Sequence, residues 1–308
     1  MSTLSNRLDD YLSLRRSLGF KLTSEGTALP SFVQFMEHNK ASYITNELAL
    51  TWATLPKNVK ANRWYRRLSF VRGFSTYCHA FDQRSEVPSS QLLPICKQRS
   101  SPYFFKDSDI EQLLQKSLSQ EISAGVSSRT THCILSLLCT TGLRISEALR
   151  LDVSDLDTDQ GVLHVRVSKF GKSRLIPLHP SVLALLNDYL SSHESETETV
   201  EPVAMFRNAT AQRVSYDSIY RRFRRLSNAL PDQPGRRRAT LHDLRHRFAV
   251  KTLLNWYQDG IDIHRWLPVL STYLGHVEVR DTYWYISACP ELMDAARRRL
   301  ESRWEGRS

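Results

Sequence analysis

GVLHVRVSKFGKSRLIPL, residues 161–178, differs in pattern from the sequence on either side of it. Val162, His164, Arg166 and Ser168 occupy alternate positions, Phe170–Gly171 marks a turn, and a second short run ends at Pro177. A period of two on both sides of a turn predicts a β-hairpin. Most of the remaining chain repeats its apolar positions every three or four residues. The fold class is therefore mainly α (α+β), with one small hairpin or sheet among helices.

Upstream, LSNRLDDYLSLRRSLGF (residues 4–20) is amphipathic and stops at Gly19, a residue suited to the position after a helix end. Further helical segments are predicted near 27–39, 45–54 and 58–81. SEVPSSQLLPICKQRSSPYFF (85–105), rich in Ser and Pro, then breaks the periodicity. This divides the chain into a helical domain, residues 1–98, a linker, 99–106, and a second domain, 107–308. In the second domain a helix is expected around Asp107–Ser117, and THCILSLLCTTGL (131–143) has the mostly apolar pattern of a buried helix. HESETETVEP (193–202) is polar enough for an exposed loop, and LHDLRHRFAVKTLL (241–254) is strongly helical.

The 308 residues suit two domains. No run approaches the ~20 apolar residues of a membrane span, and the polar N-terminus lacks a signal-peptide apolar region, so a cytoplasmic protein without a membrane partner is expected. Five cysteines, Cys78, Cys96, Cys133, Cys139 and Cys289, show neither CxxC nor Cys/His pairing, which excludes a recognisable zinc site or disulfide framework. Neither a Walker-type glycine loop nor a carboxylate cluster accompanies the motifs below, so no cofactor or metal is expected.

Lys and Arg total 42 against 32 Asp and Glu, a net charge of +10, which favours a polyanionic partner. Between Thr51 and Phe81 there is no acidic residue, while Lys57, Lys60, Arg63, Arg66, Arg67 and Arg72 recur at roughly helical spacing. A second basic cluster comprises Arg221, Arg222, Arg224 and Arg225, then Arg236, Arg237 and Arg238. Two separated basic segments of this kind are candidates for phosphate contacts and suggest a clamp, though charge alone does not separate nucleic acid from an acidic surface.

Four further elements carry chemistry. TGLRISEALRL (141–151) places Arg144 between a buried helix and the next, with Glu147 as a possible ion-pair partner. Lys169 and Lys172 lie at or beside the hairpin tip. His242 and Arg245, three apart, share one helix face. His276 follows Leu274–Gly275 at an expected helix N-terminus. Beyond it, Tyr283 and Tyr285 in DTYWYISA point about 200° apart on a helix, so only one can serve a given site. Tyr283 shares a stripe with Val279 and Ile286 and reads as core-facing, whereas Tyr285 lies over Asp281 and Thr282 on the polar side.

In order, TGLRISEALRL, VSKFGKSRLIPL, LHDLRHRFA, LGH and the tyrosine nine residues after that histidine resemble the tyrosine recombinase, or phage integrase, family, above all its Xer-like and transposon-borne members. The resemblance implies a helical, SAM-like core-binding domain and a catalytic domain that together form a C-shaped clamp on double-stranded DNA. It also implies that Arg144 and Arg245 hold the scissile phosphate, that His242 bonds the same phosphate, and that Lys169, rather than Lys172, protonates the leaving 5′-oxygen. His276 would buttress the site and Tyr285 would be the nucleophile of a 3′-phosphotyrosyl intermediate. In the family four protomers exchange strands through a Holliday junction at inverted repeats, some with sister recombinases. The tail CPELMDAARRRLESRW resembles the helix that members dock onto a neighbour. A bacterial, nucleoid-associated protein serving a mobile element or a resolution system follows. A non-catalytic DNA-binding accessory protein is the alternative that the basic clusters alone would support, and a topoisomerase using the same phosphotyrosyl chemistry is a third.

Overall fold

The computed structural model describes residues 3–94, 102–119, 125–166, 173–192, 203–276, 278–288, 292–294, 297, 298 and 301. The chain separates into two compact units, Met1–Arg99 and Ser100–Ser308.

The first unit holds α1 (Leu4–Ser17), α2 (Thr23–His38), α3 (Asn46–Thr54) and α4 (Ala61–His79). Thr3 and Thr45 start α1 and α3 by accepting the backbone N–H groups of Asn6 and Leu48, which would otherwise be unsatisfied donors of a first turn. Gly19 takes a positive φ of 86°, and its N–H and that of Phe20 close α1 on Arg16 and Arg15 carbonyls. The four helices bury Leu8, Leu12, Phe32, Met36, Leu68, Val71 and Phe74, with Trp52 edge-on to Phe32 at 5.2 Å. Each such side chain contributes about 1.5–3 kcal/mol on burial.

The second unit is built around α6 (Ser128–Thr141), which packs against α5 (Asp107–Ser119), α8 (Pro180–Ser191) and α10 (Leu241–Gln258). Ile134, Leu135, Leu137 and Leu138 of α6 are all buried, as its nearly continuous apolar run requires. Ser127 caps its start, and Gly142, at φ 62°, ends it. A Cβ at Gly142 would come within 2.5 Å of the Phe248 ring, so the residue is needed for both conformation and space. The remaining helices are α7 (Ile145–Ala148), α9 (Tyr216–Ser227), α11 (Ile263–Leu274) and α12 (Arg280–Ala288).

The expected hairpin is present as β2 (Val162–Val165) and β3 (Arg174–Pro177), antiparallel with Leu163 opposite Ile176 and Val165 opposite Arg174. Its turn lies outside the described residues. A two-residue strand, β1 (Leu156–Asp157), pairs with β2 and extends the hairpin to three strands in the order β1-β2-β3. Leu163, Val165 and Ile176 turn into the core.

One expectation is corrected at the domain junction. Tyr103 and Phe105 fall in the stretch whose Ser and Pro content suggests a linker, yet both are buried in the second core, 5.0 Å apart and edge-on. The Tyr103 hydroxyl donates to the Pro231 carbonyl, and the Phe104 backbone exchanges two hydrogen bonds with Gln233. Partners so distant in sequence leave no local pattern to read. No helix among the described residues is long and apolar enough to cross a membrane. Cys78, Cys133 and Cys139 are buried free thiols.

Candidate active site

Arg144 stands at the joint between α6 and α7, where helix geometry leaves N–H groups to be satisfied. Glu147, one turn on, accepts the Arg144 backbone N–H at 3.0 Å and its guanidinium at 2.9 Å. The same carboxylate receives Arg174 of β3 through two bonds of 3.2 and 2.8 Å. Burial alone would raise the Glu147 carboxyl, but the Arg174 hydrogen bonds, the Arg144 N–H and both charges outweigh it and hold it down to about 2. A buried anion thus bridges two arginines, one of which faces the site.

Arg174 also donates to the Tyr273 carbonyl, and Arg144 to the Gly275 carbonyl at 3.1 Å. The hairpin and the α6–α7 joint are therefore tied to the end of α11. Gly275 ends α11 in the left-handed region, φ 68°, and a Cβ there would approach Arg174 at 3.0 Å. His276 consequently sits at a helix C-terminus, not the N-terminus that its spacing suggests, because α12 begins only at Arg280.

Helix α10 supplies His242 and Arg245. Its first turn is fixed by Asp243, fully buried, which accepts Thr240 N–H and hydroxyl and two bonds from Arg237 at 2.7 and 2.6 Å. Arg245 is 1% exposed and donates to the Gly142 carbonyl at 2.9 Å and the Leu274 carbonyl at 2.5 Å. Its Nε is buried with no hydrogen-bond partner among the described residues. Burial, then the Arg144 charge, lowers its guanidinium to about 10, while the Tyr285 hydroxyl, within hydrogen-bonding reach, opposes the shift.

The two tyrosines exchange the places expected of them. Tyr285 is 3% exposed, and Tyr283 is 47% exposed beside a similarly open Val279; the Ile286 side chain is outside the described part. The supposedly polar face turns inward because Thr282, fully buried, satisfies its hydroxyl by sharing a 2.8 Å hydrogen bond with His276 Nδ1. Helix α12 packs on α10 and α11, and that packing decides which face is buried. The Tyr285 ring stacks on His276 at 5.9 Å and meets His246 edge-on at 5.1 Å. His246, which the sequence reading passed over, also meets His242 edge-on at 4.6 Å.

Burial, then neighbouring positive charge, pushes His276 down to about 4 and His246 to about 3; crowding by its neighbours and the Arg245, Arg144 and Arg237 charges push His242 the same way, but its side chain reaches solvent at the start of α10, which weakens the shift. They are neutral at pH 7 and can accept protons. As pH falls from 6.5 toward 4, the unfolded chain takes up protons that the folded site refuses, so stability decreases through that window. The expected cost is roughly 1 kcal/mol per pH unit for each histidine that stays neutral, less for the solvent-open His242. Thermal unfolding of the second unit followed from pH 7.5 to 5 checks this, and a midpoint independent of pH contradicts it.

The basic clusters divide into cations exposed at the surface and cations packed against the protein. Lys57, Lys60, Arg63 and Arg66 are exposed on or just before α4. Arg67 instead lies 3.6 Å over the Trp52 ring and donates to the Trp52 carbonyl, and Arg72 donates to Pro88 and Ser89 carbonyls. In the second unit Arg221, Arg225 and Arg238 are exposed and Arg224 half-buried. Arg222 is buried against Ser128, Arg236 covers the Phe104 ring at 3.9 Å, and Arg237 holds Asp243. These five arginines, all candidates for phosphate contact, make bonds or ring contacts within the protein. Lys169 and Lys172 fall outside the described residues.

The Phage integrase family model matches residues 104–291, the span that carries every element of this site. The chain belongs to the phage integrase family. Its members are tyrosine recombinases, catalytic DNA strand transferases. A candidate integrase/recombinase of Sinorhizobium fredii, y4rB, is 42% identical over 100% of both chains. The tyrosine recombinase XerC of Chlamydia caviae is 29% identical over 71% of this chain and 65% of that one. The integrase of transposon Tn1549, solved with transposon right-end DNA, shares the fold at a TM-score of 0.67 and 15% identity, covering 98% of this chain and 99% of the other.

Proposed function

We propose that this phage integrase family member is a site-specific recombinase of a mobile element, cutting and rejoining double-stranded DNA with Tyr285 as nucleophile. The observation that carries the reading is the meeting of Arg144, His242, Arg245 and His276, from three separate parts of the second unit, around the buried Tyr285.

In this mechanism the Tyr285 oxygen attacks the scissile phosphorus, the phenolic proton passes to a neutral imidazole, and the bond to the 5′-oxygen breaks. Arg144 and Arg245 hold the non-bridging oxygens as charge builds on them, a charge-assisted geometry that Lys could not reproduce. The buried, unpartnered Nε of Arg245 is a donor that such an oxygen would satisfy. His242, open to solvent at the start of α10, bonds the phosphate, while His276, tied to Thr282, supports the tyrosine. Lys169 protonates the leaving 5′-oxygen. The product is a 3′-phosphotyrosyl DNA and a free 5′-hydroxyl, and attack by a partner strand's hydroxyl reverses the step without ATP. The exposed Lys57, Lys60, Arg63, Arg66, Arg221, Arg225 and Arg238 contact phosphates along the duplex. Four protomers joined through their C-terminal segments would exchange strands through a Holliday junction, and the terminal segment lies largely outside the described residues.

The test is a nicked duplex bearing the inverted repeats that flank the gene, so that the short 5′-hydroxyl fragment is lost after cleavage. The expected result is a denaturant-resistant protein–DNA adduct on the 3′-phosphate side, formed without ATP. Tight binding to the repeats with no adduct would overturn the reading.

A further inference from the structure

His246 follows Arg245 directly and lies one turn beyond His242 on α10, yet the mechanism above assigns it nothing. It is 6% exposed. Its ring makes two near-perpendicular contacts, with His242 at 84° and with Tyr285 at 68°. His276 also contacts the tyrosine ring and is nearly parallel to it, at 24°. The ring of the nucleophile thus contacts two imidazoles, one on α10 and one just after the end of α11, and its hydroxyl lies within hydrogen-bonding reach of Arg245. Edge-to-face contact is directional, because a polarised ring edge meets a π face, so it restricts how a ring tilts as well as where it lies. The charges near His246 are those of Arg245, on its own helix, and Arg237, before it, with His242 and His276 as the titratable neighbours. All favour the neutral imidazole, which keeps the contact with Tyr285 aromatic rather than ionic.

We infer that His246 is a positioning residue of the recombinase, its ring setting the tilt at which the Tyr285 hydroxyl meets Arg245 and the scissile phosphate. The inference rests on Tyr285 being the nucleophile. Misplacing a reacting atom by about 1 Å costs on the order of 100-fold in rate. Loss of the ring should therefore slow the chemical step without weakening DNA binding.

The experiment measures single-turnover adduct formation at saturating full-length protein, DNA affinity and thermal midpoint for the wild type, His246→Ala, His246→Gln and His246→Phe. The expected result is a ~100-fold slower step for Ala and Gln at unchanged affinity. His246→Phe, which keeps an aromatic edge, should return to within about tenfold of the wild type with the same pH profile. If Ala does not fold, Gln and Phe, closer in volume to His, decide. Wild-type rates in Gln, or a Phe variant as slow as Gln, would overturn the inference; the second result would show that a ring nitrogen is required. A wild-type protein that binds DNA but forms no adduct overturns the reading of the site itself, and does so in a separate arm.

Discussion

Tyr285→Phe is expected to bind DNA as the wild type does and to form no covalent adduct, whereas Tyr283→Phe should form it at the wild-type rate. The asymmetry follows from α12. The Tyr285 ring is buried in contact with His246 and His276, so a phenylalanine can occupy the same space and the fold should persist within about 1 kcal/mol. Only the oxygen is lost, and with it the atom that attacks phosphorus. Burial raises the Tyr285 phenol above its ordinary value, and the Arg245 charge and hydrogen bond and the Arg144 charge oppose that rise without cancelling it. The phenol is accordingly protonated at neutral pH and needs a base at the moment of attack, a role open to the neutral imidazoles around it. Tyr283, nearly half exposed, has no comparable surroundings. An adduct formed by the Tyr285→Phe protein would remove the nucleophile from this position, and loss of the adduct in Tyr283→Phe would point to the other tyrosine.

How far the sequence carries this reading depends on the range of the interactions concerned. The hairpin was legible because strand alternation and a turn are local, and the order of the arginine, histidine and tyrosine motifs was legible because each motif is short. The orientation of α12 was not. Helical periodicity places Tyr283 and Tyr285 on opposite faces, but α10 and α11 decide which face is covered. Thr282 looked polar and outward only because its partner, His276, lies before the helix. Which arginines of the basic segments pack inward was hidden for a similar reason. An arginine against Trp52 or Phe104 has the same one-dimensional signature as one in water, since the planar guanidinium tolerates an aromatic face. His246 was visible in LHDLRHRFA all along, but its significance depends on Tyr285 being 39 positions away in sequence and 5.1 Å away in space.

Glu147→Ala should be among the most destabilising single changes in the second unit, costing about 3–5 kcal/mol, and should reduce adduct formation as well. The carboxylate is nearly inaccessible and makes bonds to both Arg144 and Arg174. Removing it leaves two guanidinium groups without their anion beside a third, Arg245, so the penalty is that of uncompensated charge more than of lost attraction. Because Arg144 reaches the Gly275 carbonyl from the same anchorage, its placement in the site should loosen at the same time. Glu147→Gln keeps the shape and one acceptor oxygen and should fall between the two. The carboxyl is held down to about 2 from an ordinary 4.5, so its contribution is complete above pH 4.5 and is lost as pH falls through that interval. Denaturant unfolding at pH 7 and pH 4 reads both effects. The variants should converge toward the wild type at the lower pH, where the native bridge begins to lose its advantage. A Glu147→Ala midpoint equal to that of the wild type at pH 7 would show that the bridge contributes nothing net, leaving Arg144 to be held by the Gly275 carbonyl alone.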